Sequence, residues 1–149
     1  MRLHIAVLVT FGMLCASAYA SQPYSKIFSS GFKAAVDQAM EQPTGAGRTR
    51  LLIAAMAKGT DDEVFFVFPL LFPLRVINGA QRAHVCVPEI QASLANGQAF
   101  VATSGAEAHK FPTTHSKKIR ADTNNLIRCL DQYYANGQLR LPPSLSSSN

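Results

Sequence analysis

The densest apolar stretch of the chain runs from Val64 to Leu74, with Asp61, Asp62 and Glu63 before it and Arg75 after it. Nine of its eleven positions are Val, Leu or Phe, and full burial of such a side chain is worth roughly 1.5–3 kcal/mol. The segment is therefore expected to supply the heart of the core. It is too short to cross a bilayer, which takes about 20 apolar residues, and Pro69 and Pro73 interrupt it. A proline inside a helix costs about 3 kcal/mol, whereas Val-Phe-Phe-Val-Phe is rich in strand formers, so Val64 to Phe68 reads as a buried strand or short extended piece. The rival is a helix opened by Thr60, whose hydroxyl and the Glu63 carboxylate have capping-box spacing, with Pro69 kinking it.

Helical periodicity dominates elsewhere. Tyr24, Phe28, Phe32, Ala35, Val36 and Ala39 share one face of an amphipathic helix over 24–41 that ends before Pro43. A turn at 43–47 leads to a short helix with Leu51, Leu52, Ala55 and Met56 inward and Gly59 as its stop. Over 74–85 two readings stand level. Asn78-Gly79 suits a hairpin turn, but that register sets Arg75 opposite Arg82, and like charges so placed repel. A helix begun at Pro73 sets Leu74, Ile77, Ala80 and His84 at helical spacing. Pro88 and Glu89 suit the first turn of a further helix, which Asn96-Gly97 would stop. Gln98 to Thr103 reads as a strand or another helix, and Ser104 to Ser116 as a polar loop. The final helix, over 122–135, is capped by Asp122 or Thr123 and carries Leu126, Ile127, Leu130, Tyr133 and Tyr134 as its inward stripe. Ala-Asn-Gly-Gln occurs at 95–98 and again at 135–138, which shared helix-stop chemistry explains without an internal repeat.

The expected fold is mostly α: a small single-domain helical fold around the buried 64–74 segment, with room for a minor β element. Residues 1–20 have the form of a secretory signal peptide, with Arg2, an apolar stretch from Ile5 to Leu14 and Ala18-Tyr19-Ala20 for cleavage. Residues 21–141 then form one globular domain and 142–149, rich in proline and serine, a disordered tail. The protein is accordingly expected in the periplasm or outside the cell.

Cleavage removes Cys15 and leaves Cys86 and Cys129, 43 residues apart. Two cysteines in an exported chain suggest one disulfide. Cleavage also removes Arg2, which takes the formal charge from +5 to +4, a mild excess whose scatter along the chain argues against a nucleic-acid partner. Lys110, Lys117, Lys118, Arg120 and Arg128 form the one local concentration of a single sign. The first four are candidate contacts for an anionic partner, with a solvated basic loop as the plainer explanation.

No phosphate-cradling glycine loop, nucleophile elbow, HExxH or dinucleotide fingerprint occurs. The mature chain has His84, His109 and His115; a metal site would need three or four ligands brought together, and His109 and His115, six apart on a loop, read as solvated, while a disulfide would consume both thiols a nucleophile could use. No catalytic residue, cofactor or metal is expected, and the chain reads as non-enzymatic.

Cys86-Val87-Pro88 opening a helix, with a second cysteine 43 residues later on an amphipathic helix, resembles the periplasmic immunity proteins that protect bacteria from type VI secretion amidase toxins. The chain lacks a glycine-tyrosine helix motif before Cys86 and a His-Pro pair between the cysteines. The resemblance implies a structural role for Cys86 and Cys129, a protein partner, and neutralisation of a cell-wall-degrading toxin. A different class of function is a membrane-active secreted protein that inserts the Phe-rich segment 64–74, with the basic residues on anionic lipid.

Overall fold

The computed structural model describes residues 27–135. The expected signal peptide over 1–20, the contribution of Tyr24 and the expected tail over 142–149 lie outside the described residues. Those residues form eight helices and no strand: α1 Ser30–Met40, α2 Ala46–Lys58, α3 Asp61–Phe66, α4 Phe68–Leu71, α5 Leu74–Arg82, α6 Val87–Ala102, α7 Ala106–Thr114 and α8 Ser116–Ala135. One apolar core collects side chains from every helix. The long α8 is central, packing against α2, α3, α6 and α7, while α1 lies on α2.

The polar residues at the helix starts decide where the first elements begin. Ser29 is extended, and its hydroxyl accepts from the Phe32 N–H at 3.2 Å. The helix therefore starts at Ser30, several residues after Tyr24, and Phe28 is buried ahead of it. Glu63 joins this start to the next element. Its Oε1 accepts from the Ser29 N–H and hydroxyl at 2.7 and 2.6 Å, while Oε2 accepts from the Thr60 N–H at 2.8 Å. Thr60 Oγ1 in turn accepts from the Glu63 N–H, completing a capping box.

That box overturns the extended reading of Val64 to Phe68. Asp61, Asp62 and Glu63 fill the first turn of α3, where carboxylates meet the positive end of the helix. Pro69 falls in the first turn of α4, where a missing N–H costs nothing. Strand propensity described the side chains, but caps and proline placement set the backbone. The segment does feed the core: Val64, Val67, Leu71 and Phe72 are buried and Phe65, Phe66 and Phe68 pack against them, whereas Leu70 and Leu74 are about half exposed at 48% and 52%.

Other expected breaks are continuous helix. Residues 74–82 are α5, with Val76, Ile77 and Ala80 buried, so the hairpin is excluded. Asn96-Gly97 does not stop α6: both residues are buried, and Asn96 is held by α8. There the Asn96 amide donates to Asp122 Oδ2 at 2.8 Å and accepts from Lys118 Nζ at 2.8 Å. Shared stop chemistry thus fails to explain Ala-Asn-Gly-Gln at 95–98. Most of 104–116 is α7 rather than loop, with Phe111 and Pro112 buried. Nor do Asp122 or Thr123 cap the last helix. It begins at Ser116, and Thr123 is a buried interior residue.

Candidate functional site

Cys86 and Cys129 are joined by a disulfide, with their Cα atoms 5.9 Å apart. Cys86 is the residue that caps α6 at its N-terminus, in a left-handed conformation with φ 53°. His84, two residues earlier, is also left-handed at φ 56°. A non-glycine residue pays roughly 1–2 kcal/mol for that conformation, so the turn between α5 and α6 is held by its surroundings. The Val85 N–H donates to Ala80 O at 2.9 Å, and the bond to α8 fixes the other end. Cys86 is buried, while Cys129 is half-buried in the interior of α8. Glu89 lies in the first turn of α6, its carboxylate within 4.8 Å of both sulfurs.

The basic candidates do not form one free surface. Arg120 is committed internally: Nη1 donates to Met56 O at 2.6 Å, Nη2 to Gly59 O at 2.8 Å, and Nε and Nη2 to Asp61 Oδ1 at 3.1 and 2.8 Å. It closes the end of α2 over the start of α3 from a position on α8. Ser116 also donates to Asp61 Oδ1, and this hydroxyl followed by Arg120 holds the Asp61 carboxyl below the ordinary range. Lys118 is paired with Asp122 at 2.6 Å and bound to Asn96. Lys110 pairs with Glu107 on the exposed face of α7 at 3.3 Å, and Lys117 is exposed on the first turn of α8. Lys110, whose exposed pair with Glu107 stays within α7, and exposed Lys117 are, among the described residues, the members of the set with no tie to a second helix.

His109 is exposed on α7, and the His115 ring stacks on Phe111 with 4.2 Å between centroids and Nδ1 3.1 Å from the Phe111 carbonyl oxygen.

Sequence reasoning missed a buried ion pair. Arg48 on α2 is 7% exposed and Asp131 on α8 is 0% exposed, with Arg48 Nη2 2.8 Å from Asp131 Oδ1. The Thr49 hydroxyl donates to Asp131 Oδ2 at 3.0 Å. Burial pushes the Asp131 carboxyl up, against the lowering by Arg48 and Thr49. The signal was present. Arg48 lies four residues before Leu52, and Asp131 lies four after Ile127, so both apolar stripes already ran through a charge.

In comparisons with known proteins, no family model, curated protein or solved structure matches the chain.

Proposed function

We propose that the chain is an exported binding protein, non-enzymatic, whose task is to neutralise a cell-wall-degrading toxin of the amidase class. The observation that supports this reading is the Cys86–Cys129 bond between the Val-Pro start of α6 and the last long helix. It is the pairing that the resemblance to amidase immunity proteins implies, and a disulfide suits an oxidising compartment. Lys110 and Lys117 are the basic groups available to an acidic surface of the toxin. Incubating the mature protein with purified amidase effectors tests the reading. A complex at micromolar concentration and loss of amidase activity are expected, with weakening by Lys110→Glu and Lys117→Glu together. Absence of a complex with every effector sinks it.

The membrane-active alternative draws support from one observation, the exposure of Leu70 and Leu74 beside the exposed Arg75. An anionic bilayer would meet two leucines and an arginine there, while most of the Phe-rich segment stays in the core. Leakage from phosphatidylglycerol vesicles that disappears in Leu70→Glu and Leu74→Glu is the expected sign, and intact vesicles at high protein loading dispose of the alternative.

A further inference from the structure

We propose that the Cys86–Cys129 bond exchanges with external thiols by a fixed route: the thiolate attacks Cys129 Sγ, Cys86 leaves, and the Glu89 carboxylate holds the reaction back. Access selects the point of attack. Cys129 is half-buried whereas Cys86 is 6% exposed, and exchange requires direct approach to the sulfur that is attacked. The leaving side is selected by the helix. Cys86 caps sixteen-residue α6, and although Pro88 offers no N–H to its sulfur, the positive end of the helix dipole favours a thiolate there. A leaving thiolate stabilised in this way departs faster. Glu89 opposes both steps, since its negative charge lies within 4.8 Å of both sulfurs and faces the incoming thiolate and the departing one.

The step balances without a further oxidant. The external thiolate forms a bond to Cys129 Sγ, the Cys86–Cys129 bond breaks, and the electron pair leaves on Cys86, which later takes a proton from water. A second thiolate attacking the mixed disulfide releases Cys129 and completes the reduction. The first step also unties the α5–α6 turn. His84 and Cys86 are both left-handed, and with one end free they can return to ordinary backbone conformations. Cys129 is thus a modification site for a small thiol, and occupation of that site loosens the start of α6. This inference is independent of the toxin-binding reading.

Glutathione is the probe. The folded, oxidised protein is treated with it briefly, quenched in acid, alkylated and mapped by peptide mass. At early times glutathione is expected on Cys129 and the alkyl group on Cys86, in about tenfold excess over the inverse pattern. In Glu89→Gln the exchange rate is expected to rise about threefold, the order that removing a like charge within 4.8 Å gives in a well-solvated site. Glutathione on Cys86, or equally on both cysteines, overturns the route. So does exchange whose rate in urea follows the loss of helical circular dichroism, because attack would then need an unfolded chain. An unchanged or slower rate in Glu89→Gln overturns the part assigned to the carboxylate.

Discussion

Gly59 has an ordinary φ of −69°, so its lack of a side chain answers to packing rather than to backbone conformation. A Cβ there would come within 2.6 Å of the ring of buried Phe32, so one of the two must shift. Gly59→Ala is therefore expected to lower stability by about 1–3 kcal/mol, the range for overpacking a filled core, as read from urea unfolding. Arg48 and Asp131 set a different test. Removing one member of a buried ion pair strands the other and costs about 3–5 kcal/mol, so Arg48→Met or Asp131→Leu alone should destabilise by that order. Arg48→Met and Asp131→Leu together should cost far less than the two summed, because the apolar pair leaves no buried charge behind. Thermal unfolding of the three variants gives the comparison.

Between elements the carboxylates decide the response to acid. Burial raises the Glu63 carboxyl, but hydrogen bonds from Ser29 and Thr60 outweigh it and leave the group below its ordinary range, and Asp61 is lowered by Ser116 and Arg120. A carboxyl lowered by folding stabilises above its unfolded value, near 4, and loses that contribution as pH falls through the folded value. Asp131, raised by burial, has the opposite sign and adds stability as the acid range is entered. The wild-type protein is expected to lose stability from about pH 4 downward, and Glu63→Gln to be weaker at neutral pH with a shallower acid slope. Urea titrations at stepped pH measure both. The same residues show what could be read in advance. Thr60 and Glu63 signalled the start of α3 by local spacing alone, and the stripe from Leu126 to Tyr134 announced α8. Asn96-Gly97 misled because its local preference is to stop a helix. Asn96 is instead held by Asp122 and Lys118 from α8, contacts that no window along the chain contains. The internal bonds of Arg120 were hidden for the same reason, since its carbonyl partners Met56 and Gly59 lie some sixty positions away.

For the whole molecule, the disulfide ties α6 to α8 across a 43-residue separation. Closing a loop of that size stabilises by about 4 kcal/mol in the chain-entropy account. Cys86→Ser or Cys129→Ser should each remove a few kcal/mol, and the double variant should be no worse than either, because one bond can be lost only once. Denaturant melts of the three variants against the oxidised parent decide it, and additive losses would mean that the cysteines act separately.

The placement of that bond also bears on how the molecule survives being cut. The link between α6 and α7 presents exposed Ser104 and Gly105, and Lys110 is exposed on α7, all inside the segment spanned by the two cysteines. A protease that nicks the backbone there produces two polypeptides still held by one covalent bond, each contributing a helix to the same core. Limited digestion should accordingly yield a product that runs at full mass on a non-reducing gel and separates into two bands only after reduction. The cysteine pair thereby turns an accessible bend in the chain into a place where the backbone can be severed without the halves parting company.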